Sequence, residues 1–485
     1  MISYRNVSDF IKHTAAEDPR LHEALSRLDG SFVEVYKTIN NLNIPKIVPT
    51  IYNTANVKEN FGAKADGVMD DTTSVKRAFA SGKPAVYFPN GTYIIAGPIQ
   101  PPANLLVFGN QATLKVKDGN NNNMFEIFSD NVHFDNLIFD GNKANQSAGS
   151  LVLYHAAKRF SARNLIMLNP FTSGILVEVG SDIGIIQGCR IEGAGDHAIN
   201  LSSSNRMNVI NNIVIDPGAS GVNVSTCLYV NVVGTVATQS VVETSGFGGV
   251  RFSNGSKFFN AVGNTISDFT RGIFITTGSI FGTVVGNTID GAGSQGMLIE
   301  GINPTFNLFL VVNNNVIRNI GKTANAEGIR LVDSLYCDIS NNVIIDDRGT
   351  LLMDYGIKAS GTSDRLNITD NIINGITTRS IDIPTGGNFN LNGNIIDPAE
   401  SINIASAATI TLINSGTYFN ITGTTNITSV TASWVGRTVT LRFAGILTFT
   451  NGSNLKLNGN FVTAADSTIS LICNGTNWYE VARKP

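Results

Sequence analysis

Five residues near the middle of the chain have the side chains needed to break a sugar linkage: Asp196, His197, Glu243, Arg251 and Arg271. Asp196 and Glu243 lie two repeats apart, which places them about 10 Å apart if successive coils are stacked at about 4.8 Å. An acid and a base about 6.5–9.5 Å apart suit hydrolysis with inversion. The loop that carries Glu243 can adjust this gap, so the five residues form a first candidate catalytic cluster.

A second cluster combines Glu327 and Asp354 with Arg330, Tyr355 and Lys358. Its two carboxylates are one repeat apart, or about 5 Å. That spacing suits a retaining pair of carboxylates, which lie about 5–5.5 Å apart. The sequence does not decide between the two clusters.

Two phenylalanines, Phe247 and Phe274, accompany these charges and offer the aromatic surface that a sugar-binding groove needs. Elimination is an alternative to hydrolysis in either cluster. It requires a base to take the proton next to a uronate carboxylate, and a cation to stabilise the resulting enolate. A structural alternative also stays open, in which these charges only form solvated pairs on an outer face.

A short phrase, x-Gly-Ile-x-Ile, recurs through this region and must position both clusters. Its copies begin at residues 173, 197, 220, 248, 271, 295, 327, 355 and 379, with variants of Gly and Ile at several of them. A period of 20–50 residues is typical of solenoids. Because side chains alternate along a strand, the two apolar residues should point inward and the residue between them outward. The predicted outward column is Leu176, Asn200, Asn223, Arg251, Phe274, Leu298, Arg330, Lys358 and Asp382.

A second phrase, apolar-x-Asn-x-apolar, keeps step with the first. It places Asn at 212, 264, 287, 315, 342, 371 and 394, with Cys189 and Thr235 at the matching positions. Short strands separated by Gly- and Asn-rich corners, without a helical pattern between them, predict a parallel β-helix. We expect the Asn amides to stack at a bend and to satisfy backbone groups there.

Three segments follow from these patterns: a helical segment at 1–48, the β-helix at 49–400, and a C-terminal antiparallel β domain at 401–485. The first carries a heptad seam from Leu21 to Leu42, which predicts self-association. A short helix, Thr73 to Ala80, is expected to cap the solenoid, with the Asp71 carboxylate accepting from its free N–H groups.

The residues from Val57 to Thr72 resemble the entry motif of the pectate-lyase-like superfamily, Phe-Gly-Ala-Lys-x-Asp-Gly-x-x-Asp-Asp-Thr. The motif is common in phage tailspikes and polygalacturonase-like enzymes. The runs at 416–423, 435–443 and 475–481 are similar to C-terminal β domains of phage tail fibres and spikes. The resemblance implies an all-β, right-handed parallel β-helix and a C-terminal domain that assists trimerisation or binds glycans.

The resemblance further implies a virion-associated tailspike that binds and hydrolyses a bacterial capsular, exo- or wall polysaccharide. The alternatives are a polysaccharide lyase and a receptor-binding fibre without catalysis. The expected partners are two further copies in a homotrimer and a phage tail or baseplate protein held through the N-terminus.

Composition limits the other classes of function. The formal net charge is −3 and no basic patch stands out, so we expect no nucleic-acid partner. No apolar run suits a signal peptide or a membrane span, which predicts synthesis in the host cytoplasm and no membrane partner. The four cysteines lack metal-ligand spacing. We therefore expect buried reduced thiols, no metal site and no cofactor.

Overall fold

The computed structural model describes residues 53–241, 246–301, 306–322, 326–384, 387–396, 402–412 and 416–485. Apart from residues 53 and 54, these belong to one compact unit, Ala55–Pro485. The heptad seam at 21–42 and Glu243 lie outside the described residues. Each full coil contributes one strand to each of three parallel sheets, so the coil has one strand more than the two phrases required.

Sheet 1 has sixteen strands. In chain order they are Thr54–Asn56, Ala85–Phe88, Leu105–Gly109, Val132–Asp135, Lys158–Arg163, Asp182–Gln187, Asn205–Ile210, Leu228–Val233, Lys257–Val262, Ile280–Val285, Asn307–Leu308, Val311–Asn313, Ser334–Leu335, Asp338–Ser340, Leu366–Thr369 and Phe389–Asn390.

Sheet 2 has fourteen strands and follows sheet 1 in each coil. Its strands are Asp66–Asp70, Gly91–Ile95, Ala112–Val116, Ile138–Asp140, Ile166–Leu168, Arg190–Glu192, Ile213–Ile215, Val236–Thr238, Thr265–Ser267, Thr288–Asp290, Val316–Arg318, Val343–Ile345, Ile372–Asn374 and Ile395–Ile396.

Sheet 3 has eleven strands and contains the x-Gly-Ile-x-Ile phrases. Its strands are Phe125–Ile127, Val152–Tyr154, Ile175–Val177, Ile199–Ser202, Val222–Ser225, Gly248–Ser253, Arg271–Thr276, Gln295–Glu300, Glu327–Val332, Tyr355–Ser360 and Arg379–Asp382. The predicted right-handed parallel β-helix is confirmed.

The Asn ladder stands at the corner between sheets 1 and 2 and is confirmed as structural. Each amide from Asn264 to Asn371 donates to the side-chain oxygen of the next Asn at 2.9–3.0 Å. The same oxygens accept backbone N–H groups, as Asn264 does from Thr235. Because the ladder is fully buried from Asn264 to Asn371, these bonds replace the water that the corner has lost.

A short helix, Thr72–Phe79, packs Val75, Ala78 and Phe79 over the end of the solenoid core. The predicted cap by the Asp71 carboxylate is wrong. Its two oxygens accept instead from the backbone N–H groups of Lys64 and Ala65, at 2.6 and 3.0 Å. The preceding loop folds back over Asp71, and its amides reach the carboxylate in place of those of the helix.

The C-terminal β domain has its own hydrophobic core, from Ile410 to Trp478. Its six-stranded sheet comprises Ile402–Ala405, Tyr418–Thr422, Thr438–Phe443, Leu455–Lys456, Thr468–Cys473 and Trp478–Lys484. Thr409–Ile410 pairs with Ser429–Val430, and Thr448–Phe449 with Phe461–Val462. The predicted antiparallel pairing is present among the three longest strands, whereas the first two strands join in parallel.

All four cysteines are buried free thiols, as predicted. Burial raises the pKa of Cys189 and Cys337 to about 12, which keeps both thiols protonated and unreactive.

Candidate functional site

The outer face of sheet 3 carries the predicted outward column in unbroken register. Each member from Leu176 to Asp382 pairs with the next across adjacent strands. A neighbouring column at the strand entrances aligns Arg271, Gln295, Glu327, Tyr355 and Arg379. The β-helix therefore aligns seven of the predicted site residues on two neighbouring columns of sheet 3: Arg251, Phe274, Arg330 and Lys358 on one, and Arg271, Glu327 and Tyr355 on the other.

The first cluster is centred on His197, whose side chain is buried. Its Nδ1 accepts a hydrogen bond of 2.9 Å from the backbone N–H of Ser220. Burial lowers the pKa of His197; Asp196 opposes this effect and Arg251 adds to it. The ring is therefore neutral near pH 7, with its proton on Nε2. Through Nε2, His197 can donate a hydrogen bond to a substrate but cannot accept a proton as a base.

Arg251 lies above two aromatic rings, with its guanidinium carbon 5.9 Å from the Phe247 ring and 5.4 Å from the Phe274 ring. Its Nε is buried without a hydrogen bond. Burial lowers the pKa of Arg251, and the described residues place no carboxylate within 4 Å of it. The Phe247 ring also meets the His197 ring edge-on at 5.6 Å, so Phe247 joins the two groups.

Two further polar groups of this cluster are buried without a partner: Ser220 Oγ and Asn223 Oδ1. Asn223 Nδ2 donates to Asn200 Oδ1 at 2.9 Å, and Asn223 itself is only 6% exposed. The sequence placed Asn200 and Asn223 in the outward column but did not single them out. The feature of the sequence that could have identified them is the outward column they share with Arg251, from which Asn223 is one coil away and Asn200 two.

Asp196 and Arg271 stand at the edge of this cluster. The Asp196 side chain is half exposed, and its Oδ1 lies 3.8 Å from His197 Nε2. Arg271 stacks on Phe274 at 4.4 Å and donates to the backbone oxygen of Gly246. The cluster thus joins one accessible carboxylate, one donating imidazole and two arginines. Glu243, the proposed second carboxylate, falls in the undescribed segment 242–245.

The second cluster is organised around Glu327, whose side chain is almost fully buried. It accepts from Arg330 at 3.1 Å and from Gln295 at 2.8 Å, and it lies 3.9 Å from Lys358 Nζ. Lys358 stacks over the Tyr355 ring at 3.7 Å. The charge of Glu327 is therefore compensated within the protein, whereas no carboxylate among the described residues compensates that of Arg251.

Asp354 does not contact Glu327 through a hydrogen bond. Its Oδ2 accepts from the N–H of Ala326 at 3.1 Å, and its Oδ1 accepts from Thr377 Oγ1 at 3.0 Å. Asp354 consequently links the loops of the coil before and the coil after its own. The distance expected of a retaining pair stays a prediction.

A nearby loop is held by Asp346, which is fully buried and paired with Arg348 at 2.6 Å. Burial alone would raise the pKa of Asp346, but the Arg348 guanidinium and the N–H groups of Leu352 and Met353 lower it to about 2. Arg348 also donates to Ile320 and Gly321 of the adjacent coil. This loop is fixed from within and does not need a ligand to order it.

Within the described parts of the chain, no group of three His, Cys, Asp or Glu side chains could hold a metal ion. No helix there is long and apolar enough to span a membrane.

Comparison with known families identifies residues 54–239 as similar to rhamnogalacturonase A/epimerase, pectate lyase-like. The superfamily resemblance is therefore confirmed over that segment, which includes Asp196 and His197. No curated protein sequence matches the chain.

Two solved structures illustrate the similarity in fold. The A-module of Azotobacter vinelandii mannuronan C-5 epimerase AlgE6 is 19% identical with a TM-score of 0.60, over 71% of this chain and 99% of that one. The N-terminal fragment of bacteriophage Phi29 gene product 12 is 15% identical with a TM-score of 0.56, over 83% and 81%. A mannuronan epimerase module and a bacteriophage protein thus share this β-helix.

Proposed function

We propose that this chain binds and cleaves a bacterial surface polysaccharide along the outer face of sheet 3, at the cluster around His197 and Arg251. One observation carries the proposal: Ser220 Oγ, Asn223 Oδ1 and Arg251 Nε, which belong to two adjacent coils, are buried without hydrogen-bond partners. The other four such atoms among the described residues, on Arg163, Thr235, Asn313 and Arg437, are scattered over the fold. A buried polar group without a partner costs about 1–3 kcal/mol, and more when it is charged. A polysaccharide supplies the hydroxyl and carboxylate groups that these atoms lack.

Arg251 favours an acidic sugar unit. Its guanidinium has aromatic rings beside it and no carboxylate partner among the described residues. A guanidinium binds a carboxylate through two parallel N–H donors, and burial strengthens that pair. We therefore assign Arg251 and Arg271 to binding an anionic group of the substrate, with Phe247 and Phe274 forming the apolar part of the subsite.

The roles in catalysis follow from exposure and tautomer. Asp196 is the accessible carboxylate and is the proposed acid or base. The Nε2–H of His197 donates to a substrate oxygen on which charge develops. Glu243 is the proposed second carboxylate for hydrolysis with inversion. If the substrate is a uronan, Asp196 as base and Arg251 as cation supply the groups that elimination needs.

The second cluster extends the same face and is the alternative catalytic centre, with Glu327 and Asp354 as its carboxylates. Arg330 lies three strands from Arg251 in the same column, or about 14 Å at the usual strand spacing. That distance spans several sugar units. Arg330, Tyr355 and Lys358 are therefore proposed as subsites for a chain that runs parallel to the solenoid axis.

We place this activity on a virion, in a homotrimeric tailspike attached to a phage tail or baseplate through residues 1–48. The β-helix shared with bacteriophage Phi29 gene product 12 supports this proposal. The C-terminal residues 401–485 are proposed to assist trimerisation or to bind glycans. A receptor-binding fibre without catalysis is the second candidate, because the buried polar atoms argue for a ligand and not, by themselves, for turnover.

The test is incubation with capsular polysaccharides from candidate hosts, and with polygalacturonate and mannuronan as uronan probes. New reducing ends alone indicate a hydrolase, and added ultraviolet absorbance from an unsaturated product indicates a lyase. Binding without either product indicates a fibre. Asp196→Asn and Glu327→Gln, assayed separately, distinguish the two clusters; if both variants keep full activity, neither cluster is catalytic.

A further inference from the structure

An exposed ladder of five aromatic rings runs along the corner that leads into sheet 1, on Tyr229, Phe258, Phe281, Phe309 and Tyr336. Neighbouring rings stack with centroids 5.0–5.2 Å apart and interplanar angles of 5–17°. Each of the five residues is 42–55% exposed. The aromatic ladder therefore forms a stripe roughly 20 Å long, parallel to the solenoid axis.

The backbone of this corner does not require aromatic residues. All five adopt left-handed φ angles of 56–59°, which bulky side chains rarely do. In the first coils the same corner is occupied by Asn104 and Asn131, which adopt this conformation at little cost. A small polar residue is thus sufficient to turn the chain. The aromatic residues retain a strained conformation whose benefit lies in what their rings contact.

The surface beside the ladder is almost without charge. Between residues 228 and 313, the outward positions of sheet 1 beyond the rings hold Asn, Thr and Val, and Lys257 is the one charged residue in the described sheet 1 strands of that stretch. Asp338 follows Tyr336 at the end of the ladder. The Asn side chains bond to one another, as Asn260 does to Asn231 at 2.7 Å. Among the described residues of this surface, one polar side-chain atom, Asn313 Oδ1, has no hydrogen-bond partner, and it is buried. The surface therefore offers little polar contact and little opposite charge to a polar or charged ligand.

The exposed parts of the rings also do not suit stacking by a sugar. A sugar stacks on the face of an aromatic ring, but each inner face of the ladder is covered by its neighbour. Arg365 covers the far face of Tyr336, with its guanidinium carbon 4.9 Å from the ring centre. Solvent therefore meets ring edges, which form a flat apolar strip.

We propose that the aromatic ladder is the surface through which copies of this chain pack side by side. This inference rests on the homotrimer included in the proposed function and locates its contact on the fold. A rotation axis parallel to the solenoid and beside the ladder would bring identical coils of the copies together in one register, so that the rings of each copy meet those of the others around the axis. Because the strip is nearly uncharged, copies meet without like-charge repulsion.

The exposed area agrees with such an interface. Five aromatic residues, each with about 200 Å² to bury and about half of it exposed, supply about 450 Å². That lies within the range of the largest apolar patch on a typical monomer. A stable interface buries about 800 Å² per partner, so the ladder supplies about half. Val311, 38% exposed on the same sheet, and the half-buried Val233, Val262 and Val285 extend it.

Cysteine cross-linking of the full-length chain tests the proposal directly. Phe281→Cys introduces an accessible thiol, because all four native cysteines are buried. A short bismaleimide should join copies of this variant into covalent dimers. Phe128→Cys is the matched control, since Phe128 is 50% exposed but lies outside the ladder; it should stay uncross-linked. Absence of dimers from Phe281→Cys overturns the proposal.

A second variant tests the energetics without breaking the corner. Phe258→Asn, Phe281→Asn and Phe309→Asn together place at the corner a residue that accepts its backbone conformation. We expect association, measured by sedimentation, to weaken at least about 100-fold, with polysaccharide turnover per chain retained. Undiminished association overturns the proposal, as does a monomeric wild-type chain. Loss of polysaccharide binding with the assembly intact also overturns it and assigns the ladder to the sugar.

The failure of either proposal is separately visible. Asp196→Asn should abolish turnover and leave association by sedimentation unchanged, whereas the triple Asn variant of the ladder should weaken association and leave turnover unchanged.

Discussion

The outer faces of sheet 3 and sheet 1 belong to the same coils and have nearly the same backbone, but they differ in how completely their side chains are satisfied. On sheet 1 the aromatic rings stack on one another, and the Asn amides bond within their own column. On sheet 3, Ser220, Asn223 and Arg251 keep buried polar atoms without partners. Sheet 1 also has two such atoms, Arg163 Nε and Asn313 Oδ1, but these lie on distant coils, whereas those of sheet 3 lie on adjacent coils. Their grouping on sheet 3 favours a ligand there.

The same comparison separates the two carboxylate clusters on sheet 3. Glu327 is enclosed by Arg330, Lys358 and Gln295, as a structural ion pair would be. Among the described residues, Arg251 has two aromatic rings and no carboxylate beside it, so an anion from outside the protein can pair with it. This difference favours the first cluster as the centre of binding.

The largest effect is expected from Arg251→Ala. Loss of this half-buried guanidinium, which has no carboxylate partner among the described residues, should reduce polysaccharide turnover about 100- to 1,000-fold, the usual effect of removing one stabilising donor from an active site. Circular dichroism should be unchanged. Arg206→Ala is the control, because Arg206 is exposed at the sheet 1 corner and pairs with Asp182; its activity should equal that of the wild type. Full activity of Arg251→Ala would remove the first cluster from the account.

Glu327→Gln should act on stability more than on chemistry. It leaves the mostly buried cations Arg330 and Lys358 uncompensated, which should lower the free energy of unfolding by about 3 kcal/mol. Chemical denaturation measures this change. Asp382→Asn breaks a more exposed pair with Arg379 on the same sheet and should cost less than about 1 kcal/mol. Unchanged stability with lost turnover in Glu327→Gln would instead make the second cluster the catalytic centre.

Asp346→Asn should change how stability depends on pH. Because the pKa of Asp346 falls from its ordinary 3.8 to about 2 in the folded chain, its contribution is complete above about pH 4 and is lost as the pH falls toward 2. Removing it should cost about 2 kcal/mol at neutral pH. Denaturation midpoints from pH 2 to 7 should therefore converge for the two proteins at low pH. Parallel curves would show that Asp346 is not ionised in the fold.

The smallest effect is expected from Phe258→Asn, whose loss of stacking is partly offset by relief of the left-handed backbone strain. The free energy of unfolding should change by less than about 1 kcal/mol. Its sequence neighbour Phe259 points into the core, and Phe259→Ala should cost about 3–5 kcal/mol. Equal losses would mean that the ladder holds the coil together and is not a free outer surface.

The sequence predicted the solenoid, its outward column and the Asn ladder, because a strict repeat transfers directly into register. It did not predict the third strand of each coil, since the strands of sheets 1 and 2 are separated only by the tight Asn corner. It also misassigned Asp71, whose partners come from a loop that sequence spacing cannot place.

The hydrogen-bond and ion-pair partners of the site residues could not be predicted from the sequence. The tautomer of His197 depends on a backbone N–H one coil away, and the enclosure of Glu327 depends on three coils meeting. The aromatic ladder was not predicted, because its residues lie outside the x-Gly-Ile-x-Ile phrases. Its signal was nevertheless in the sequence, where the five aromatics recur at intervals of 29, 23, 28 and 27 residues.

The most direct measurement is residue-level carbene footprinting of the wild-type chain, with and without the polysaccharide that it binds. The polysaccharide should reduce labelling of Asp196, Phe247 and Arg251 on sheet 3, while Tyr229 and Phe258 on the aromatic ladder should keep their labelling. Protection of Tyr229 and Phe258, with Phe247 and Arg251 unaffected, would contradict the account and move the binding site to the other face.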